Sequence, residues 1–234
     1  MFWHCTLTAV TISEQIVRNE LVLSNIPYIT FLRFAANKMT QAINLLKEHI
    51  SKTVLLTDEE FLHFSSHFKP LSFKKGQIVV REGDKVDHEY FVTNGCLKAF
   101  YINDEIKMHI LQFAMPTWWT SDYDALYSQT KAKINVDCIT DAEVLCLSNA
   151  DREKLCREIR QVEHFFRWRT NRGYVAAHRR LLSFMNNDAR TRYEELMKQY
   201  PQLYNLVPKH LIAAYLGVSR ETLSRLYNSH KNVM

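Results

Sequence analysis

The side chains best suited to recognition chemistry lie near the C-terminus, in residues 207–227. Arg220, Glu221 and Arg225 are charged, and Thr222 and Ser224 supply hydroxyl groups between them. An arginine guanidinium can donate two hydrogen bonds to the O6 and N7 atoms of guanine, and a glutamate carboxylate can accept one from the N4 atom of cytosine. This set of residues predicts a surface that reads base edges in the major groove of DNA.

Two short helices that meet at Gly217 are predicted to position these side chains. Before the glycine, apolar residues recur at three- and four-residue spacing, which is typical of one buried helical face. Gly217 suits the left-handed end of that helix, and Ser219 is a favoured N-cap for the next helix. Leu223 and Leu226 then point inward. This arrangement predicts a helix-turn-helix, and the alternative is an ordinary helical hairpin with a solvated outer face.

The candidate DNA-binding residues follow from this arrangement. They lie on the outer face of the second helix, at its N-cap and at the start of the first helix: Lys209, Ser219, Arg220, Glu221, Thr222, Ser224 and Arg225. Residues in the first turn of a recognition helix usually contact bases, whereas a lysine at the start of the preceding helix suits a backbone phosphate.

The segment GVSRETLSRL resembles the recognition helix of the Crp/Fnr family of bacterial transcription regulators. The resemblance extends over about residues 39–234, and the segments before the helix-turn-helix are similar to the Bacteroidetes-type branch. It implies that Arg220, Glu221 and Arg225 contact base edges and flanking phosphate. It also implies a homodimer that binds double-stranded DNA, with RNA polymerase as a candidate further partner.

The charge distribution favours a polyanion-binding C-terminal part. Residues 152–234 contain 16 Lys and Arg against 7 Asp and Glu, whereas residues 1–151 contain 14 against 18. A basic half that follows a mildly acidic half is typical of a nucleic-acid-binding module joined to another domain.

The cysteines and histidines favour neither a disulfide framework nor a metal site. Five cysteines without a C-x-x-C spacing indicate a reducing cytoplasm, and Cys5 alone is too few for the N-terminal iron–sulfur cluster of the Fnr branch. His63 and His67 have the spacing of a metal pair but no evident third ligand, so surface histidines are the preferred interpretation. We therefore expect no cofactor and no metal.

Residues 71–148 have the pattern of a β-roll. Short strand-like runs separated by turn signals cover residues 77–81, 88–94, 96–102, 105–113, 133–139 and 143–148. Alternation predicts that Ile106, Met108 and Ile110 face inward, and likewise Ile134 and Val136. The runs KKGQIVVREGD and YFVTNGCLKAF resemble the cyclic-nucleotide-binding β-roll. No catalytic motif is present, so an enzyme is not expected.

The nucleotide pocket implied by this resemblance is degenerate. The family's ribose-binding Gly-Glu pair falls on Ser121 and Asp122, and its phosphate-binding Arg falls on Ala132, which cannot neutralise a phosphate. Asp122 could still accept from a ribose hydroxyl. The candidate effector pocket comprises Trp118, Trp119, Ser121, Asp122, Lys131, Ala132 and Lys133, with the two indoles filling the core as the preferred interpretation. Cyclic AMP is not expected as the effector, whose identity stays open.

Residues 161–186 are predicted to form one long helix. Phe165, Trp168 and Val175 share one stripe, and Gly173 and Ala177 a neighbouring stripe of small residues. Periodicity predicts a buried helix, and the family resemblance implies that it is also the dimer seam. Gly173 and Ala177 would then allow a second copy to approach closely.

These patterns together predict an α+β protein with four parts. They are a poorly ordered extension (residues 1–38), a jelly-roll sensor domain (39–160) that begins with an amphipathic helix, a dimerisation helix (161–186) and a helix-turn-helix domain (187–234). A helix at residues 26–36 and a membrane or partner tether are alternatives for the extension, but no run reaches the ~18 apolar residues of a membrane span.

The function predicted is DNA-binding transcription regulation. A small-molecule-binding or enzymatic roll with a vestigial DNA module, and an architectural protein without effector, are the alternatives.

Overall fold

The fold is described from a computed structural model that defines the backbone of residues 27–231 and the side chains of residues 37–227. The chain divides after Asn44 into two compact units. Helix α1 (Pro27–Ser51) includes the segment predicted at 26–36 and the helix predicted from Met39, so the amphipathic helix begins earlier than its pattern indicates. Most of the proposed extension lies outside the described residues. Within the described residues, no helix is long and apolar enough to cross a membrane.

Helix α2 (Asp58–Ser66) begins with the capping box that the sequence predicts. The Thr57 hydroxyl accepts a hydrogen bond from the Glu60 amide at 3.2 Å, and the Glu60 carboxylate accepts one from the Thr57 amide at 2.8 Å. Two of the amide groups that have no partner inside the helix are thereby satisfied. Phe61 and Phe64 lie on the buried side of this helix.

Two four-stranded antiparallel sheets form the β-roll. The strands are β1 (Lys69–Phe73), β2 (Ile78–Val80), β3 (His88–Asn94), β4 (Leu97–Ile102), β5 (Met108–Ala114), β6 (Trp119–Thr120), β7 (Asn135–Cys138) and β8 (Ala142–Ser148). One sheet has the order β1-β8-β3-β6 and the other β2-β7-β4-β5. The short helix α3 (Tyr123–Ser128) lies between β6 and β7 in the chain. The jelly-roll prediction is therefore confirmed at the level of the fold.

Two strands of the roll were not predicted, because neither has an alternating pattern. The four residues at the start of β1 are all exposed, and β6 contains only two residues. Ile106 was also placed wrongly, since it was assigned to a strand that begins two residues later. It lies in the turn between β4 and β5, where its φ is 60° and its side chain is 87% exposed. Val136, in contrast, is buried as the alternation predicts.

The turn at Gly95 carries the chain from one sheet to the other. Strand β3 pairs with β8 and β6, whereas β4 pairs with β5 and β7, so Asn94 and Gly95 do not close a hairpin. Gly95 has a φ of 84°, and a Cβ atom here would lie only 2.2 Å from the carbonyl oxygen of Asp141. A side chain at this position is incompatible with the crossing.

Aromatic residues fill the space between the first sheet and the long helix α5 (Arg160–Asn186), which follows helix α4 (Asn149–Glu158). The Trp119 ring centroid lies 5.1 Å from that of Phe91 and 5.9 Å from that of Phe166. Glu89, whose side chain is completely buried, lies 2.5 Å from the Arg169 guanidinium of α5 and 3.7 Å from that of Arg152 in α4. These contacts fix the first half of the long helix to the roll.

The outer face of the second sheet is covered by the C-terminal helices. These are α6 (Ala189–Gln199), α7 (Leu203–Leu206), α8 (Lys209–Leu216) and α9 (Arg220–Lys231). One apolar cluster joins Phe100, Ile110 and Phe113 of the roll to Ile212 and Leu216 of α8. The roll and the C-terminal helices therefore share a continuous core, although the sequence predicts separate domains.

Candidate nucleic-acid interface and effector pocket

The turn between α8 and α9 has the geometry that its sequence predicts. Gly217 has a φ of 69°, and the Val218 amide donates to the Ala213 carbonyl at 3.0 Å, which closes the end of α8. The Ser219 hydroxyl accepts a hydrogen bond from the Thr222 amide at 3.1 Å, so it caps α9. The first turn of α9 is thereby fixed relative to α8.

Helix α9 has one buried and one exposed face within residues 220–227. Leu223 is buried and Leu226 is partly buried against the same apolar cluster, as predicted. The side chains on the other face are available to a ligand, because Arg220, Glu221, Ser224 and Arg225 are exposed and Thr222 is partly exposed. Spacing alone identified this face correctly.

Glu221 is held in its ionised form. The pKa of its carboxyl group is lowered by a hydrogen bond from its own backbone amide, by the Ser219 hydroxyl and by the charge of Arg220. A carboxylate at a helix N-terminus also interacts favourably with the helix dipole. Glu221 can therefore act only as a hydrogen-bond acceptor, which is the property needed to contact cytosine N4.

Lys209 begins α8 next to two tyrosine rings. Its ammonium nitrogen lies 4.2 Å from the ring centroid of Tyr227 and 5.5 Å from that of Tyr204, and the two rings stack with their centroids 4.9 Å apart. The side chain is therefore a fixed positive charge near the middle of α9.

Three residues that hold this unit in place escaped sequence reasoning: Arg180 and Phe184 of α5, and Arg192 of α6. The Arg180 guanidinium donates to the carbonyl oxygens of Ile110 and Tyr215, at 2.7 and 3.1 Å, and also to that of Leu111. Arg192 donates to the carbonyl oxygen of Leu216 at 3.2 Å. The sequence offered one signal for Arg180 and Phe184, which is that they lie at helical spacing on the same side of α5 as Phe166 and Arg169.

The Asp122 carboxylate is fully engaged with the backbone. One oxygen caps α3 by accepting from the Ala125 amide at 3.1 Å, and the other accepts from the amides of Lys133 and Ile134 at 2.8 and 3.3 Å. The residue is 3% exposed. Ser121 is equally buried, and its hydroxyl donates to the His88 carbonyl at 2.7 Å. Contact with a ribose would require both polar groups to exchange these partners.

The two lysines of the candidate pocket lie on either side of Ala132, which stands where the family has its phosphate-binding arginine. Ala132 is buried in the cluster between the two sheets. Lys133 extends outward, where its ammonium group lies 2.7 Å from the Asp124 carboxylate, and the backbone of Lys131 forms an isolated antiparallel β-bridge with that of Lys85.

The two tryptophans occupy different cores. Trp119 packs in the aromatic cluster under α5, and Trp118 contacts both the roll interior and the Tyr200 ring, at 4.9 Å between centroids. Beside the roll, a cavity of about 120 Å³ is lined by residues 79–81, 84–88 and 90. This volume is well below the ~300 Å³ at the lower end of small-molecule sites.

The candidate metal pair is engaged with carboxylates of α4. His63 Nε2 lies 2.7 Å from the Glu158 carboxylate, and His67 Nδ1 lies 2.8 Å from that of Asp151. In the part of the chain that the structure describes, no three His, Cys, Asp or Glu side chains are grouped to hold a metal ion. The two histidines therefore link α2 to α4.

Residues 70–158 match the family model of the cyclic nucleotide-binding domain. This range extends from β1 to the end of α4 and so contains the β-roll. The β-roll has the cyclic nucleotide-binding fold. Because the match covers less than half of the chain, it establishes the fold of the roll and leaves the C-terminal helices unassigned. Among curated proteins, no sequence matches this chain.

Solved structures are similar to this chain over a larger share of its length than the family model covers. FixK2 from Bradyrhizobium japonicum is 18% identical over 70% of this chain and 85% of its own, with a TM-score of 0.60. The c-di-GMP responsive global regulator CLP from Xanthomonas campestris is 13% identical over 75% and 92%, with a TM-score of 0.59. A Eubacterium rectale protein assigned to the crp/fnr family of transcriptional regulators is 12% identical over 75% and 84%, with a TM-score of 0.58. At these identities the likeness shows a shared fold.

Proposed function

We propose that the protein is a homodimeric, sequence-specific DNA-binding transcription regulator of the Crp/Fnr type, in which the β-roll is the sensor. In this proposal α8 and α9 form the helix-turn-helix, and α9 enters the major groove. The observation that carries the proposal is the division of α9 into two faces. Leu223 anchors one face in the core, while Arg220, Glu221 and Arg225 are presented on the other with the first turn rigidly capped.

Base and phosphate contacts are assigned by position in this unit. Arg220 and Glu221 follow the cap directly and would meet base edges, while Arg225 lies more than one turn later and would meet a base or the flanking phosphate. Lys209 is fixed over the Tyr227 ring and would bind a phosphate independently of sequence.

The dimer seam is proposed on the face of α5 that points away from the roll. Residues 171–179 are all exposed, so the middle of this helix is surrounded by solvent in a single chain. Trp168, Val175 and Leu182 recur along this face of α5 every seven residues, which is the repeat of a two-helix seam. Gly173 and Ala177, the small residues that the sequence suggested for close approach, lie roughly half a turn around the helix from Val175, so this proposal moves the seam to the Val175 face.

The sensor role is proposed for an effector other than a cyclic nucleotide. The position of the phosphate-binding arginine holds buried Ala132, and the carboxylate of Asp122 already accepts three backbone hydrogen bonds.

Selection from a random double-stranded DNA pool tests the proposed function. We expect the protein to enrich a near-palindromic motif, because a two-fold symmetric dimer presents two copies of α9 about 34 Å apart. An unchanged pool after repeated rounds would contradict the proposal.

Two variants then separate base reading from phosphate binding on the enriched motif. Arg220→Ala is expected to cost about 1–3 kcal/mol per half-site and to relax selectivity at one base pair. Lys209→Ala should weaken binding to the motif and to random DNA alike and lower the salt dependence by about one unit per lost phosphate contact. If both variants weakened specific and random DNA by the same factor, Arg220 would be a phosphate contact and the assignment would be wrong.

A further inference from the structure

Arg180 joins three separate parts of the molecule. It belongs to α5, donates to the carbonyl oxygens of Ile110 and Leu111 in β5, and donates to that of Tyr215 in α8. Its guanidinium carbon also lies 3.9 Å from the ring centroid of Tyr215 and 5.3 Å from that of Phe184. One side chain therefore holds the long helix, the roll and the first helix of the proposed DNA-binding unit together.

The charge of Arg180 is satisfied by carbonyl dipoles. Within the described side chains, no carboxylate forms an ion pair with this guanidinium, and burial lowers its pKa. A guanidinium presents several N–H groups in one rigid plane, so it can donate to neighbouring carbonyls on two elements at once. A flexible lysine ammonium cannot reproduce that geometry.

A second clamp lies at the turn between α8 and α9. Arg192 donates to the Leu216 carbonyl and lies 5.0 Å from the centroid of the Phe184 ring, on which Arg180 also packs. A Cβ atom on Gly217 would lie 3.2 Å from Phe184. The end of the long helix is thus packed directly against the turn that orients α9.

The backbone alone does not fix this orientation. Helix α5 ends at Asn186, and its C-cap residue Asn187 has φ −100° and ψ 145° and is therefore extended rather than helical. Helix α6 begins only at Ala189. Rotation about these few bonds would swing α8 and α9 relative to α5. The clamps of Arg180 and Arg192 oppose that rotation, together with the apolar cluster that joins α8 to the roll.

We propose that Arg180 is a positioning residue that fixes the angle of α9 relative to the long helix and thereby sets the spacing between the two DNA half-sites. This inference rests on the proposed function, since it assumes that two copies pair along α5 and bind DNA through α9. The distance between the two copies of α9 is then determined by the α5 seam and by the clamp on each side. Arg180 touches no base, so it affects which spacing is accepted and leaves the half-site sequence unchanged.

The test compares DNA selections by the full-length wild type, Arg180→Gln and the matched control Arg179→Gln. Arg179 is the exposed neighbour of Arg180 on the same helix. Wild type and Arg179→Gln are expected to enrich one spacer length. Arg180→Gln should enrich the same half-site sequence with a spread of spacer lengths, and should bind the wild-type spacing about tenfold more weakly, as expected for lost charge-assisted hydrogen bonds.

The outcomes separate this inference from the proposed function. If the wild type enriches no motif, the proposed function is wrong. If it does, and Arg180→Gln retains the single spacer while losing affinity for every spacer equally, Arg180 is merely structural and the inference is overturned. Should Arg180→Gln fail to fold, Arg180→Lys keeps the charge but not the planar donor set, and its retention of the single spacer would overturn the inference in the same way.

Discussion

Replacing Glu89 by glutamine should destabilise the protein strongly without changing the shape of its core. The carboxylate is completely buried and is the shared partner of Arg169, at 2.5 Å, and Arg152, at 3.7 Å. Burial by itself lowers the pKa of Arg169, but the charge and hydrogen bond of Glu89, together with Tyr123 and Tyr127, outweigh burial and hold that pKa above its usual range. Glutamine has nearly the same volume, so the substitution removes the charge while leaving two buried cations.

The expected loss follows from the cost of an uncompensated buried charge. Removing one partner of a buried ion pair typically costs about 3–5 kcal/mol. The guanidinium of Arg169 lies 4.4 Å from the ring centroid of Trp119 and 5.1 Å from that of Phe166, so its stacking survives the substitution. We therefore expect a loss near the lower end, about 3 kcal/mol, which corresponds to roughly 6–12 °C in Tm for a chain of this size.

Urea denaturation followed by circular dichroism, at one fixed protein concentration, measures this loss. Asp124→Asn is the matched control, because it makes the same chemical change in the ion pair with Lys133, whose side chains are 57% and 68% exposed. Exposed pairs contribute about 0–1 kcal/mol. A second substitution, Arg169→Met, should restore part of the stability lost in Glu89→Gln. The reasoning is refuted if Glu89→Gln costs no more than Asp124→Asn.

Three further predictions concern acid stability, assembly and ligand binding. Burial, with the charges of Lys52 and Arg169, lowers the pKa of His49 from 6.5 to about 4 in the folded protein. The His49 imidazole therefore binds a proton more tightly in the unfolded chain than in the folded one. The free energy of unfolding should therefore be at its full value above pH 6.5 and fall by about 1–2 kcal/mol as the pH is lowered toward 4. Thermal denaturation at each pH measures this fall, which should be smaller in His49→Phe. In sedimentation experiments the wild type should be a dimer. Val175→Glu should dissociate more readily, whereas Ala177→Glu, on the other side of α5, should dimerise as the wild type does. A monomeric wild type would contradict the proposed seam. Calorimetry with cyclic AMP or cyclic GMP should show no binding tighter than high micromolar, and tight stoichiometric binding would mean that Lys131 or Lys133 replaces the missing arginine.

Local patterns in the sequence were sufficient for the elements whose structure depends on near neighbours. The capping box of Thr57 and Glu60, the left-handed Gly217 and the Ser219 cap involve groups within a few residues of one another. Helical spacing likewise identified the buried Leu223 and the exposed face of α9. Such features are determined by backbone sterics and by hydrogen bonds that close over one turn.

The strand pattern was informative only where a strand has one buried and one partly exposed face. Alternation placed Val136 correctly, but it continued through Ile106 into a turn, since the turn happens to preserve the two-residue period. The pair Asn94-Gly95 indicates a turn without revealing that the chain changes sheets there. Strand partners are chosen by contacts between distant segments, and no local pattern encodes them.

Only the tertiary structure determined the roles of several polar groups. The sequence left Asp122 available to a ribose, whereas folding brings the amides of Lys133 and Ile134 to its carboxylate. Arg180 belongs to a run of ordinary basic residues until β5 and α8 place carbonyl oxygens around it. The physical reason is the same in both cases: a buried charge or dipole takes the partners that the fold brings to it. Those partners lie 11 and 12 residues away for Asp122 and 35 to 70 residues away for Arg180.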